Sequence, residues 1–232
     1  MKASERLARK VELIRPGYGL PGGLLNEHPR ARELYPPYLT VGYHITVGLI
    51  GLMEAALDRA RTLAPGDRVA AGLVEYLERH IPEEMHSDEP GGATLDDLAA
   101  LGVDTAAVRT QLPSTKVAAL IGAVYYWIFH FHPVAVLGYL ELEAFHPSVS
   151  GVEELIQRTG LPREGFRQLL LHAKLDVAHA RDLHRVLDSL PLEPHHEELI
   201  GLSALHTMAL VTEAFLDVVE EKVAGLPTEQ AD

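Results

Sequence analysis

The segment HAKLDVAH, residues 172 to 179, sets two imidazoles and a carboxylate at helical spacing. At 100° per residue His172, Asp176 and His179 fall at about 0°, 40° and −20°, so the three share one face. Leu169, Leu175, Leu183, Val186 and Leu190 lie on that face too, which makes it the stripe an amphipathic helix turns toward a core. A buried, unpaired carboxylate costs several kcal/mol even after relaxation, so Asp176 needs compensation. A metal ion would supply it. Hydrogen bonds from the two histidines, or a Lys or Arg on a neighbouring helix, are the competing source.

A second cluster lies in HIPEEMH, residues 80 to 86, where Glu83 and His86 are three residues apart and so adjoin on a helical face. It extends the apolar stripe of Leu73, Tyr76 and Leu77, although Glu84, Asp88 and Glu89 also allow a solvated acidic helix end. Between the two clusters, GYLELEAF at residues 138 to 145 holds Glu141 and Glu143, about 200° apart on a helix. At most one of them can face a central site. Carboxylates and imidazoles on three helices are the ligand set of di-iron bundles. Six O and N donors without sulfur suit iron or manganese better than four-coordinate zinc.

The elements that must position these residues are helical. Breakers at Pro16-Gly17, Pro21-Gly22-Gly23 and Pro36-Pro37 make residues 1–40 read as an irregular lead-in with one short helix. Tyr43 to Leu63 reads as an apolar helix, and Asp67 caps the next, with Pro82 as a kink or fresh start. Thr94 and Asp97 resemble a capping box opening a short helix that ends at Gly102. Ser114 or Thr115 starts the apolar run VAALIGAVYYWIF, which Pro133 bends. Gly160 stops a helix from Val152, Pro162 opens the HAKLDVAH helix, and a last helix covers about Pro194 to Val223. No alternating strand pattern and no repeat occurs. The expected fold is all-α, one bundle over residues 41–226 with a disordered tail at 227–232.

Composition narrows the chemistry. The chain has 232 residues, 13 histidines and no cysteine, which excludes disulfides, iron–sulfur clusters, zinc–thiolate sites and thiol nucleophiles. A net charge of −13 and the absence of a basic stripe argue against nucleic acid as a partner. The first residues have no apolar core of the secretory type, so a cytoplasmic location is expected. The run from Val117 to Phe129 is shorter than the roughly 20 residues of a bilayer span, so no membrane span is expected.

Together HIPEEMHSDE, LDDLAALGVD, PSTKVAALIGAVYYWIFHFHPVAVLGYLELEAFHPS and HAKLDVAH resemble the iron-containing redox enzyme family, within the haem-oxygenase-like di-iron oxidases related to the TenA and PqqC fold. The resemblance covers about residues 42 to 215. It implies a single seven-helix bundle of the haem-oxygenase-like type, with three core helices carrying two Fe(II)/Fe(III) ions. Glu83 and His86 match the family's E-x2-H, and His172, Asp176 and His179 its H-x3-D-x2-H. The intervening glutamate matches best at Glu143, with Glu141 as the alternative. Pro90-Gly91-Gly92 departs from the family, whose members usually continue that helix.

The resemblance implies a non-haem di-iron oxidase: O2 as cosubstrate, an external electron donor, and a small-molecule substrate that is desaturated, cleaved, cyclised or N-oxygenated, with an amino acid or amine as the favoured class. Tyr125, Tyr126, His130 and His132 form the candidate pocket wall, with core packing as the alternative for the aromatics. A homodimer is compatible with this reading. The competing readings are a metal-free relative, a haem-binding relative using His44, and a non-enzymatic helical interaction protein.

Overall fold

The computed structural model describes residues 1–12, 17, 20–85, 87–140 and 148–224; for Leu20, Asp176, Val177 and residues 220–224 it describes the backbone alone. Among the described residues the secondary structure is helical throughout. The order is α1 (Ala3–Glu12), α2 (Leu20–Glu27), α3 (Ala31–Leu63), α4 (Arg68–Glu84), α5 (Gly92–Ala100), α6 (Thr105–Thr110), α7 (Thr115–His130), α8 (Val136–Leu140), α9 (Val149–Thr159), α10 (Arg167–Ser189) and α11 (Pro194–Ala224). Short 3-10 turns precede α8 and α10. This exceeds the seven helices expected, because Pro133 separates α7 from α8 and the short α5 and α6 fill the path to α7.

Among the described residues of 1–40 the chain is mostly helical rather than the irregular lead-in that its breakers suggest. The α1 helix is amphipathic and buries Leu7 and Val11, and α3 runs through Pro36 and Pro37. A proline inside a helix removes one backbone hydrogen bond. Here Leu34 and Tyr35 are fully buried on that turn, so tertiary packing offsets the loss. The Tyr35 ring stacks on Phe166 at 4.2 Å between centroids and its hydroxyl donates to the Gly165 carbonyl at 2.9 Å.

Local signals set several boundaries. The Asp67 carboxylate accepts from the Val69 and Ala70 N–H groups, Ser114 Oγ accepts from Val117, and α9 ends at Gly160 with φ 58°. The Thr94–Asp97 capping box is not formed. Thr94 is inside α5, and Asp97 accepts instead from the backbone N–H of Gln168 at 2.8 Å, fixing the first turn of α10.

The main core joins α3, α4, α7, α8, α10 and α11 through Leu52, Leu73, Leu77, Leu120, Ile128, Leu137, Leu183 and Met208. A second cluster around Leu34, Tyr35, Leu98 and Phe166 ties α3 to α5, α9 and the turn before α10. The α3 and α11 helices are long and apolar enough to cross a membrane by length and composition, and their apolar faces supply much of this core. At Gly138 the α8 backbone meets α11 so closely that a Cβ would lie 2.3 Å from the Ile200 carbonyl oxygen.

Candidate metal centre

The α4 and α10 helices face one another along much of their length. Gly72 meets Leu190, Arg79 pairs with Asp182, and Glu84 pairs with His179. The α4 stripe that looks inward is Leu73, Leu77, His80 and Glu84, spaced four, three and four residues apart. It ends in polar groups. His80 is 1% exposed and the Glu84 side chain 4%, and they are one turn apart at the end of the helix that Met85 closes.

The cluster is built on carboxylate and imidazole. His179 Nδ1 is 2.9 Å from Glu84 Oε1, His80 Nε2 is 3.8 Å from the same oxygen, and His80 Nδ1 is 3.5 Å from Glu83 Oε2. The His80 ring stacks on Tyr76 and meets the His179 ring edge-on. On the same face of α10, His172 Nε2 is 2.7 Å from the Gln168 side-chain amide. Burial pushes the Glu84 carboxyl up, but the adjacent His179, His80 and His172 imidazoles outweigh it and hold the pKa below the usual carboxylate range. Glu84 is thus an anion in a buried setting.

Three of the family-matched residues, Glu83, His172 and His179, are described in detail. His172 and His179 share the inner face of α10, as their spacing requires. Glu83 is on the last turn of α4 with its side chain 46% exposed, so the inward carboxylate of that turn is Glu84. The α4 helix ends at Glu84, with Met85 as its C-cap. His86, Glu141, Glu143 and the side chain of Asp176 lie outside the described residues. His80 and Glu84 were missed in the sequence although the signal was present: they align with Leu73 and Leu77, whereas Glu83 is about 100° away.

The proposed pocket wall on α7 divides. Tyr125 and Tyr126 are 40% and 53% exposed and His130 is exposed, because α7 buries Val117, Leu120, Val124 and Ile128, and these three residues fall on the other face. His132 is buried, but against Asp67 at the opposite end of α4, about 25 Å from Glu84 at 1.5 Å per residue. None of the four borders the His80–Glu84–His179 cluster in the contacts described. His44 is on α3 with its Nε2 buried and without a hydrogen-bond partner among the described residues.

The donor set fits iron: oxygen and nitrogen ligand types, no sulfur, and a buried carboxylate already poised on an imidazole. The fold and this cluster define an all-α bundle with a polar carboxylate–imidazole core. Solved structures with the same fold include a haem-oxygenase-like domain of unknown function from Shewanella denitrificans OS217, with TM-score 0.77 and 17% identity over 98% of this chain and 97% of that chain. A CADD-like protein of unknown function from Nostoc punctiforme PCC 73102 superposes with TM-score 0.66 and 18% identity over 94% and 96% of the two chains. A TenA homolog from Pseudomonas syringae pv. tomato str. DC3000 gives 0.68 and 13% over 95% and 96%. No curated protein matches the sequence. Residues 81–211 match the iron-containing redox enzyme family, and the chain belongs to that family.

Proposed function

We propose that this chain is a non-haem di-iron oxidase that uses O2 and an external electron donor to oxidise a small amino acid or amine. The observation that carries the reading is the buried Glu84–His179 pair, which lies inside the interval matched by an iron-containing family and has His80 and His172 beside it. The proposed ligands are Glu83, His86, Glu143 or Glu141, His172, Asp176 and His179. Bound iron would supply the dioxygen chemistry.

Glu84 is a positioning residue in this scheme. Its carboxylate lies 2.9 Å from His179 Nδ1, an ion-pair contact that would turn Nε2 toward a metal in the carboxylate–histidine–metal arrangement. Glu83, on the exposed side of the turn, keeps its carboxylate 3.5 Å from His80 and within reach of the cluster edge. The surrounding Leu73, Tyr76, Leu77 and Leu183 exclude water from the pair.

The test is anaerobic reconstitution with Fe(II), counting iron per chain, followed by visible absorbance after O2 is added. About two irons and an O2-dependent transient support the reading. Absence of both overturns it. A haem held by His44 is the second reading, favoured by the buried, unpartnered Nε2 of that residue. Haemin titration producing an intense Soret band that His44→Ala abolishes would establish it in place of the di-iron scheme.

A further inference from the structure

An open cavity of about 910 Å3 lies at the end of α4 opposite the Glu84–His179 pair, where the first turns of α4 and α11 meet the turn after α7. Asp67, His132 and His196 line it, and a donor atom from each lies within 4.8 Å of the others. By residue type this trio resembles a metal site of two imidazoles and a carboxylate.

The hydrogen bonds argue otherwise. His132 Nδ1 accepts the Val134 N–H at 3.1 Å, and His196 Nδ1 accepts the Glu193 N–H at 3.1 Å, the reach-back of a third helical residue to the residue before its helix. Each ring therefore keeps its lone pair on Nδ1 and its proton on Nε2. Metal binding through Nε2 would put a proton on each Nδ1, facing a backbone N–H, and both caps would be lost. His132 Nε2–H instead donates to Asp67 Oδ2 at 3.1 Å, while Asp67 Oδ1 takes two α4 N–H groups, so that carboxylate is satisfied. The His196 imidazole is 6% exposed and its Nε2–H has no partner among the described residues.

A second unspent donor faces the same space. Arg68, an exposed side chain, lines the cavity from the first turn of α4, where the helix end repels a cation, and it forms no ion pair with any described residue. This is in a chain with 33 acidic and 20 basic side chains. Glu193 and Glu198 also border the cavity and are exposed, as Arg68 is, and Glu193 pairs with His195 at 3.4 Å. The remaining wall includes Phe131, Leu199 and Leu202, of which Phe131 and Leu202 are 63% and 50% exposed.

We propose that this cavity binds the carboxylate of a small organic acid with an apolar body, the acid head between His196 Nε2–H and the Arg68 guanidinium and the body against Phe131, Leu199 and Leu202. The site is separate from the iron centre, so ligand binding here is a second function of the chain. A bidentate guanidinium and a buried imidazole N–H suit a planar carboxylate.

The test titrates the full chain with octanoate and, separately, with Zn2+, by calorimetry and by 15N shifts of the histidine rings. His196→Asn keeps an acceptor for the Glu193 N–H but withdraws the Nε2–H donor, and Arg68→Gln removes the cation. Octanoate binding that weakens 10-fold or more in each variant, with iron content unchanged, is the expected result. Equal octanoate binding by all three proteins would mean contact with apolar surface only and overturns the proposal. Zn2+ binding that is lost in Asp67→Asn and His132→Asn, with the histidine proton moved to Nδ1, would overturn it in favour of a metal site.

Discussion

Replacing Glu84 by Gln separates the two adjacent glutamates. The substitution keeps size and an acceptor oxygen but removes a charge 2.9 Å from His179 Nδ1 and 3.8 Å from His80 Nε2, on a side chain 4% exposed. A close contact between a buried charge and a polar partner contributes about 1.5–3 kcal/mol, and the amide retains part of this, so the metal-free protein should lose about 1–2 kcal/mol at pH 7. For a chain of this size that is a fall in Tm of about 2–8 °C. The pH dependence has a definite sign. The folded pKa of Glu84 is lowered, so its contribution is full above the ordinary carboxylate value of about 4.3 and is lost as pH falls through the folded value. The gap between wild type and Glu84→Gln should therefore close in acid. Glu83→Gln, at a side chain 46% exposed, should change metal-free stability by about 0.5 kcal/mol or less while lowering bound iron. Thermal unfolding from pH 3 to 8 and iron analysis read both effects. A larger stability loss in Glu83→Gln than in Glu84→Gln would refute the assignment of the inward carboxylate.

Asp97 tests a carboxyl shifted the other way: burial raises its pKa to about 6, against the Gln168 N–H and Arg167, so stability should fall as pH rises from about 4 to 6. Asp97→Asn, whose amide oxygen still accepts from Gln168, should recover up to about 2 kcal/mol at pH 7 and none at pH 3.5, read by urea unfolding. Gly138→Ala places a Cβ 2.3 Å from the Ile200 carbonyl and 2.7 Å from the Ala204 nitrogen; since backbone cannot yield as a side chain does, a loss of about 3 kcal/mol is expected in the unfolding midpoint. Asp67→Ala removes the α4 cap and the His132 partner and should cost about 1–2 kcal/mol without changing bound iron. Tyr125→Ser and Tyr126→Ser, on the exposed face of α7, should leave iron content and turnover unchanged, and a lost activity in either would return these residues to the substrate pocket.

The sequence by itself determined what depends on neighbours along the chain. Helical periodicity, the Asp67 and Ser114 caps and the Gly160 stop are local, and the His172–His179 face follows from spacing alone. The iron-family match and the absence of strands among the described residues agree with that reading. Tertiary structure decided the rest. Prolines at residues 36 and 37 are compatible with helix because Leu34 and Tyr35 are buried there, which a count of breakers cannot weigh. Glu84 rather than Glu83 turns inward because α4 is set by Leu73, Leu77 and His80 against α10, and it ends before His86. His132 left the expected pocket for Asp67, 65 residues away, since Pro133 ends the α7 direction and aims the ring at the start of α4. A side chain's type and spacing are written in the chain, but the partner it meets depends on how helices pack, and packing is a property of the whole fold.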